Sequence, residues 1–392
     1  MNKPKLFRIT TVPISLYFLL KGQLRFMNQY YEVKGISSED EDGLRVAAEE
    51  NEGIEIIPIA MTRTISPIKD LKSVWALYKL FKKEKPLIVH THTPKAGTVG
   101  MLAAKLAGVP NRLHTIAGLP LLEATGPKRR LLDLVEKATY ACATKIYPNS
   151  NGLYDIILEN KYTRAEKLKV IGQGSTNGID TSHFDPAALE NTGLQKLKDE
   201  LGIQEGDFVF VFVGRLVQDK GINELLYAFQ MLSEKISTVK LLLVGFFEKE
   251  LDPLNFVSER ILASNKSIIY AGFQKDVRPY FAISDALAFP SYREGFPNVV
   301  MQAGAMALPS IVSDINGCNE IIIEGENGTI IPVKNEDALY SAMLKFMEDK
   351  EYYFKLKEKA RPMICNRYEQ KVVWEALLEE YKSLEDKMIN NV

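Results

Sequence analysis

The sequence predicts an α/β protein made of two doubly wound parallel sheets, and three observations carry that prediction. Short β-branched runs alternate with helical stretches almost from end to end, the pattern of a parallel sheet covered on both faces. The alternation breaks once, where Gly, Pro, Asn and Asp accumulate between Gly172 and Asp185 ahead of the charged stretch 188–206, and then begins again. At 392 residues the chain has the length for two such units.

In the first half the strand candidates are "LFRITTV", "IEIIPIA", "LIVHT", "NRLHTIA" and "TKIYPNS". Lys3, Lys5 and Arg8 ahead of "VPISLYFLL" resemble a signal peptide superficially, but the small-residue cleavage pattern is missing, so "KLFRITTV" reads as a first strand. The second half supplies "DFVFVFVG", "VKLLLVG", "SIIYAG", "DALAFPS", "PSIVSD" and "GTIIPV". The final helix, "YEQKVVWEALLEEYKSLEDKM", is long enough to pack back across the first unit. The expected domains are residues 1–175, residues 176–368 and a returning helix over 369–392.

Composition is that of a soluble globular chain, 46% hydrophobic and 25% charged, with no low-complexity tract. The three cysteines, Cys142, Cys318 and Cys365, have no paired spacing, so neither a disulfide framework nor a zinc site is expected and a cytoplasmic setting fits best. Net charge is -1, and no nucleic-acid partner is expected, yet residues 1–190 carry 26 Lys/Arg against 20 Asp/Glu. The excess is sharper over 66–145, with 14 basic against 5 acidic residues, in "SPIKDLKSVWALYKLFKKEKP" and "GPKRRLLDLVEKATY". These read as amphipathic helices with two open readings. One is a peripheral contact with the anionic inner face of the cell membrane through a basic N-terminal domain; the other is a solvated face over core-facing Trp75, Leu77 and Phe81. No apolar stretch approaches the roughly 18 residues that span a bilayer.

Candidate functional residues gather at the strand ends, where open α/β sheets bind ligands. "VFVFVGRLVQDKG" leaves an apolar strand at Gly214 and presents Arg215 and Lys220, two cations able to converge on one anion. "EGFPNVVMQAGA" brings Glu294 and then the Gly295, Phe296, Pro297, Asn298 and Val299 turn into a helix start, where unpaired amides and the dipole suit a phosphate. Together the two loops describe a diphosphate site that needs no bound metal and no cofactor, and point to transfer of a group from a nucleotide.

In the first half His90, His92 and His114 lie at or near strand ends. The strand spacing of His90 and His92 leaves metal binding, structural hydrogen bonding and substrate contact open. Asp40, Glu41 and Asp42 imitate the aspartate pair of metal-dependent sugar transferases, but among Glu39, Glu49, Glu50 and Glu52 they read as a solvated acidic loop.

The Gly22 loop, "HTHTPKAG", "LHTIAG", "TNGID", "VGRLVQDKG", "LVG", "YAGF" and "DALAFPSYREGFPNVV", taken in that order and spacing, resemble the retaining glycosyltransferases of family 4. That resemblance implies the GT-B fold: two facing Rossmann-like doubly wound domains with an interdomain cleft and a C-terminal helix returning to the first. It implies that Arg215 and Lys220 bind the donor diphosphate, that Glu294 faces the donor sugar and that amides near Phe296 to Val299 touch the distal phosphate. It also implies His114 beside the transferred sugar, Gly22 close to diphosphate and acceptor, and the base near Gly245, Gly272 and Phe273. The implied reaction is a front-face transfer from a nucleotide-sugar, expected to be a UDP-sugar, to a saccharide acceptor, expected on a polyprenyl diphosphate, in cell-surface polysaccharide biosynthesis.

Where the family pattern has a second Glu for the ribose, this chain has Gln302. Its amide oxygen still accepts a hydrogen bond, but a neutral one, at a loss of ~1 kcal/mol. Alternative readings are a nucleotide-sugar 2-epimerase of the same architecture and a non-catalytic nucleotide-binding paralogue. Sugar identity, linkage and oligomeric state are not legible.

Overall fold

The computed structural model describes residues 3–51, 53–119, 121, 124–248, 250 and 252–389. Glu52 of the acidic stretch lies outside them. Two compact units divide the chain, residues 1–178 with 371–392 in one and 179–370 in the other.

In the first unit, β1 (Lys5–Ile9), β2 (Glu32–Ser37), β3 (Glu55–Pro58), β4 (Ile88–Thr91), β5 (Asn111–Ile116) and β6 (Lys145–Pro148) form a sheet of order β3-β2-β1-β4-β5-β6. Every pair is parallel. One face, with Phe7, Ile9 and Val89, is covered by the helices Pro67–Glu84, Pro94–Ala107 and Gly126–Cys142. The other, with Leu6, Ile88 and Leu113, is covered partly by Leu377, Leu378, Tyr381 and Leu384 of the C-terminal helix Gln370–Ile389.

The second unit holds β7 (Phe208–Val213), β8 (Val239–Val244), β9 (Ile268–Gly272), β10 (Ala286–Phe289), β11 (Ser310–Ser313) and β12 (Gly328–Ile331), ordered β12-β11-β10-β7-β8-β9. Read from β9 the order repeats that of the first unit, again all parallel. β7 and β10, inside the sheet, are buried along nearly their whole length, which explains their unbroken apolar sequences.

Three sequence expectations change. β2 was not among the strand candidates, because Glu32 and Lys34 break its apolar run; Lys34 is accommodated by ion pairs to Glu55 at 2.8 Å and Glu84 at 3.3 Å. Trp75 does not face the core as Leu77 and Phe81 do but stands outward, one helical step off the buried stripe. The acidic loop is the start of a helix, Glu41–Glu50, with Asp40 capping it from Oδ1 onto the Gly43 amide.

Candidate active site

In the second unit the carboxyl ends of three neighbouring strands are lined by glycine. Gly214 follows β7, Gly245 follows β8 and Gly272 closes β9; the Gly214 amide donates to the Val244 carbonyl and the Gly245 amide to the Gly272 carbonyl, each at 2.9 Å. Gly245 has φ 149°, and a Cβ there would stand 1.7 Å from the Gly214 carbonyl oxygen, so no side chain can stand between these strand ends. Beside them the rings of Phe246 and Phe273 meet edge to face at 6.1 Å and are exposed.

Arg215 leaves β7 through Gly214 and donates to Glu248 at 2.6 Å, which holds the guanidinium pKa above its ordinary value. Lys220 ends a short turn over Gln218–Lys220, and its ammonium lies 2.5 Å from Glu294 Oε1. Gly221 then starts the helix Ile222–Lys235 at φ 71°, where a Cβ would strike the Pro290 carbonyl oxygen at 2.0 Å. That close approach brings the loop after β7 onto the loop after β10.

Asp219 connects those loops further, and Ser291 steadies Glu294. Asp219 accepts from Arg293 at 2.8 Å, and its carbonyl accepts from the Tyr292 amide at 2.9 Å. Ser291 Oγ donates to Glu294 Oε1 at 3.0 Å. Glu294 thus takes a cation and a hydroxyl on one oxygen, in a fixed orientation.

The Gly295–Pro297 turn opens the helix Asn298–Ala305, with no side chain capping its first turn. Phe296 is buried against Tyr368 at 5.3 Å, so only its backbone is available to a ligand. Asn316 donates from Nδ2 to the Glu294 carbonyl at 3.1 Å and the Gly295 carbonyl at 2.6 Å, and Gly317 lies so close that a Cβ would stand 2.5 Å from the latter oxygen. The turn is therefore braced from behind by the loop after β11. Gln302 sits in the second turn of the same helix, partly exposed. Cys318 is buried beside this turn, and burial with the nearby Glu294 charge pushes its thiol pKa well up.

The first unit has a different chemistry. His114 lies inside β5, short of its end, and is buried. Its Nδ1 is 2.8 Å from Thr91 Oγ1, burial lowers its pKa to about 4, and a Cβ on Gly97 would stand 2.4 Å from its Cε1. The Thr91 carbonyl oxygen, which can only accept, is 3.3 Å from Nδ1, and a proton on Nδ1 of the neutral ring leaves Nε2 as an acceptor. His90 is fixed between Tyr381 at 2.5 Å and Thr115 at 2.7 Å, while His92 Nε2 accepts from Arg8 at 2.9 Å. Burial lowers the pKa of both imidazoles well below the ordinary range. Among the described residues no group of three or more His, Cys, Asp or Glu could hold a metal ion.

Gly22 has φ 76°, and a Cβ on it would stand 2.7 Å from the Trp374 indole. Its loop is held by Asn177, which donates to the Lys21 carbonyl at 3.0 Å and accepts from Trp374 at 2.7 Å and from Gln23 at 3.0 Å. Gln23 in turn accepts from Arg8. Sequence reading named Gly22 but not the residues that hold its loop, nor Glu248, Asp219, Ser291, Phe246 and Asn316; for Asn316 the signal was present as an Asn-Gly pair after a strand.

Residues 195–363 match the model of group 1 glycosyl transferases and residues 13–150 that of a glycosyl transferase 4-like domain. The chain is 32% identical over 386 residues to the capsular polysaccharide biosynthesis glycosyltransferase CapM of Staphylococcus aureus, covering 98% of both. It belongs to the family 4 glycosyltransferases. This glycosyltransferase is also 34% identical, over 74% of both chains, to an Escherichia coli enzyme named UDP-Gal:α-D-GlcNAc-diphosphoundecaprenol α-1,3-galactosyltransferase. Two solved structures share the two-domain, Rossmann-like GT-B fold of the glycosyltransferase. They are a Rickettsia africae glycosyltransferase (TM-score 0.81, 21% identity, 98% of this chain and 99% of that one) and Anabaena HepE in complex with UDP (0.80, 19%, 98% and 100%).

Proposed function

We propose that this glycosyltransferase moves a hexose from a UDP-sugar to a saccharide carried on a polyprenyl diphosphate, retaining the anomeric configuration and using no metal ion, in capsular polysaccharide assembly. The carrying observation is the cluster at the carboxyl edge of the second sheet, where Lys220 pairs with Glu294 just ahead of an uncapped helix start and Arg215, on the same loop as Lys220, is held by Glu248. Two cations and a set of amides can neutralise the charge that builds on a departing diphosphate. The names of the S. aureus and E. coli relatives support the polysaccharide and the lipid-linked acceptor.

In this reading the second unit holds the donor and the first the acceptor. The acceptor hydroxyl oxygen bonds to the sugar C1 as the bond from C1 to the diphosphate oxygen breaks, and the hydroxyl proton passes to a phosphate oxygen. Arg215 and Lys220 turn from their carboxylates toward the diphosphate, and Glu294, released from Lys220, accepts hydrogen bonds from the sugar. Amides from Gly295 to Val299 take the distal phosphate. Gly214, Gly245, Gly272 and the exposed Phe273 frame the nucleotide, and Gln302 accepts from the ribose. His114 accepts a sugar hydroxyl through Nε2. The basic first unit meets the inner face of the cell membrane, where the acceptor would be carried.

UDP release over a panel of UDP-sugars, in EDTA, with and without an extract of polyprenyl-linked saccharides, tests this. Release that needs one donor and the extract is expected. Release that returns only with added metal overturns metal independence, and an isomerised sugar without acceptor would make the enzyme an epimerase.

A further inference from the structure

Arg215 and Lys220 are not the last cations on the loops that follow β7 and β10. Arg293 stands immediately before Glu294, and its Nη2 donates to Asp219 Oδ2 at 2.8 Å. Arg215 Nη2 lies 4.0 Å from that same oxygen, so two guanidinium groups flank one carboxylate. The backbone beside Arg293 is fixed, because the Tyr292 amide donates to the Asp219 carbonyl at 2.9 Å and the Tyr292 hydroxyl reaches both oxygens of Glu224, at 2.6 and 2.7 Å. The Arg293 side chain itself is 47% exposed, more than that of Arg215 or Lys220.

Each of the three cations has a carboxylate within 2.8 Å: Glu248 for Arg215, Glu294 for Lys220 and Asp219 for Arg293. Two more carboxylates nearby, Glu224 and Asp252, are bonded to uncharged donors, the Tyr292 hydroxyl and the Asp219 amide. A phosphate oxygen can replace any of the three ion-pair partners, since guanidinium and ammonium groups bind phosphate much as they bind carboxylate.

A nucleoside diphosphate sugar carries two negative charges, and transfer of the sugar adds a third. As the bond from C1 to the diphosphate oxygen breaks, its electron pair stays on that oxygen, and the new charge persists until the acceptor proton arrives. A cation that meets the diphosphate only as it departs adds to what Arg215, Lys220 and the amides supply. It stabilises the transition state more than the bound donor, which raises turnover without tightening donor binding.

We propose that Arg293 is a catalytic residue that exchanges Asp219 for the distal phosphate as this third charge develops. The inference rests on the functional reading above, which supplies the nucleoside diphosphate. A guanidinium suits the task, being always charged and able to hold two phosphate oxygens at once. If Arg293 were only a staple between the two loops, removing either end of its bond to Asp219 would have the same effect.

Calorimetric titration of the full chain with UDP and with each UDP-sugar of the panel, well above the second phosphate pKa of about 6, compares a ligand of three charges with ligands of two. Arg293→Gln should weaken UDP binding on the order of tenfold to a hundredfold and UDP-sugar binding much less. Arg293→Lys, which keeps the charge but not the two-pronged grip, should fall between. Asp219→Asn, which removes the charge of the staple's acceptor and keeps the cation, should leave UDP binding as tight as in wild type or tighter. In UDP release Arg293→Gln should lower kcat and leave the donor Michaelis constant nearly unchanged. Equal weakening of UDP and UDP-sugar by Arg293→Gln, or the same loss of UDP binding in Asp219→Asn as in Arg293→Gln, overturns the proposal while the functional reading stands. A wild type that binds neither UDP nor any UDP-sugar overturns both.

Discussion

At the carboxyl edge of the second sheet Arg215 and Lys220 are partly exposed, Arg215 held by Glu248 with Asp219 at 4.0 Å and Lys220 held by Glu294. Near the corresponding edge of the first sheet, Arg8 is wholly buried, its guanidinium bonded to His92 and Gln23, with Nη1 left without a partner among the described residues. Strand order is the same in both units, so the difference lies in the side chains that the strand ends carry. One edge keeps its charge movable, with carboxylate partners that a diphosphate can replace. The other keeps its imidazoles neutral by burial and spends its polar groups on holding loops in place. An exchange of ion partners suits a charged ligand that comes and goes, while a rigid edge of neutral imidazoles suits an acceptor made of hydroxyls.

The comparison breaks first if the movable cation is dispensable. Lys220→Ala is expected to lower turnover about a hundredfold to a thousandfold, read as UDP release at saturating donor, with some fall in melting temperature because the pair is largely buried and its loss leaves Glu294 without its cation. Undiminished turnover would remove the diphosphate from this edge.

Acid should act mainly on the first unit. A histidine whose folded pKa is depressed stabilises the fold fully above its unfolded value and loses that contribution as pH falls. For His114 the window runs from 6.5 down to about 4, and the loss approaches about 3 kcal/mol across it. Urea midpoints of wild type and His114→Gln measured through this window should converge as pH falls. Parallel curves would mean that His114 is not held neutral by burial.

Gly97→Ala places a methyl 2.4 Å from the His114 ring and should cost about 2 kcal/mol in urea unfolding, with a fall in turnover if the ring contacts the sugar. Full stability would show that the first edge is less rigid than described. The smallest effect is expected at Gln302→Glu, a donor Michaelis constant lowered up to about fivefold with turnover retained. A large loss would mean that the side chain does more than accept from ribose.

Fold and site were not equally legible. All six strands of the second sheet were visible as apolar runs, the inner four because strands buried on both faces carry almost nothing else, while β2 was hidden by Glu32 and Lys34, whose charges are met by residues distant in sequence. Arg215, Lys220 and Glu294 could be picked out because strand-end loops announce themselves through Gly and Pro. Their partners could not: Glu248 and Asn316 sit on other strands' loops, and only the sheet brings them together. Nothing in the sequence foretold that Arg8, one basic residue in an apolar strand, would be buried beside two histidines, or that Trp75 would stand outward while Leu77 turned in.

The first unit is closed by the helix Gln370–Ile389, so its two segments are separated by the whole of the second unit. During synthesis the ribosome releases residues 1–178, then a contiguous second unit, and only at the end the strand of chain that carries Tyr381 to His90 and Trp374 to Gly22. Until then the nascent first sheet has an unsealed apolar face, a target for chaperones, and a message or proteolytic cut ending near residue 370 would leave the second unit whole but the first permanently open.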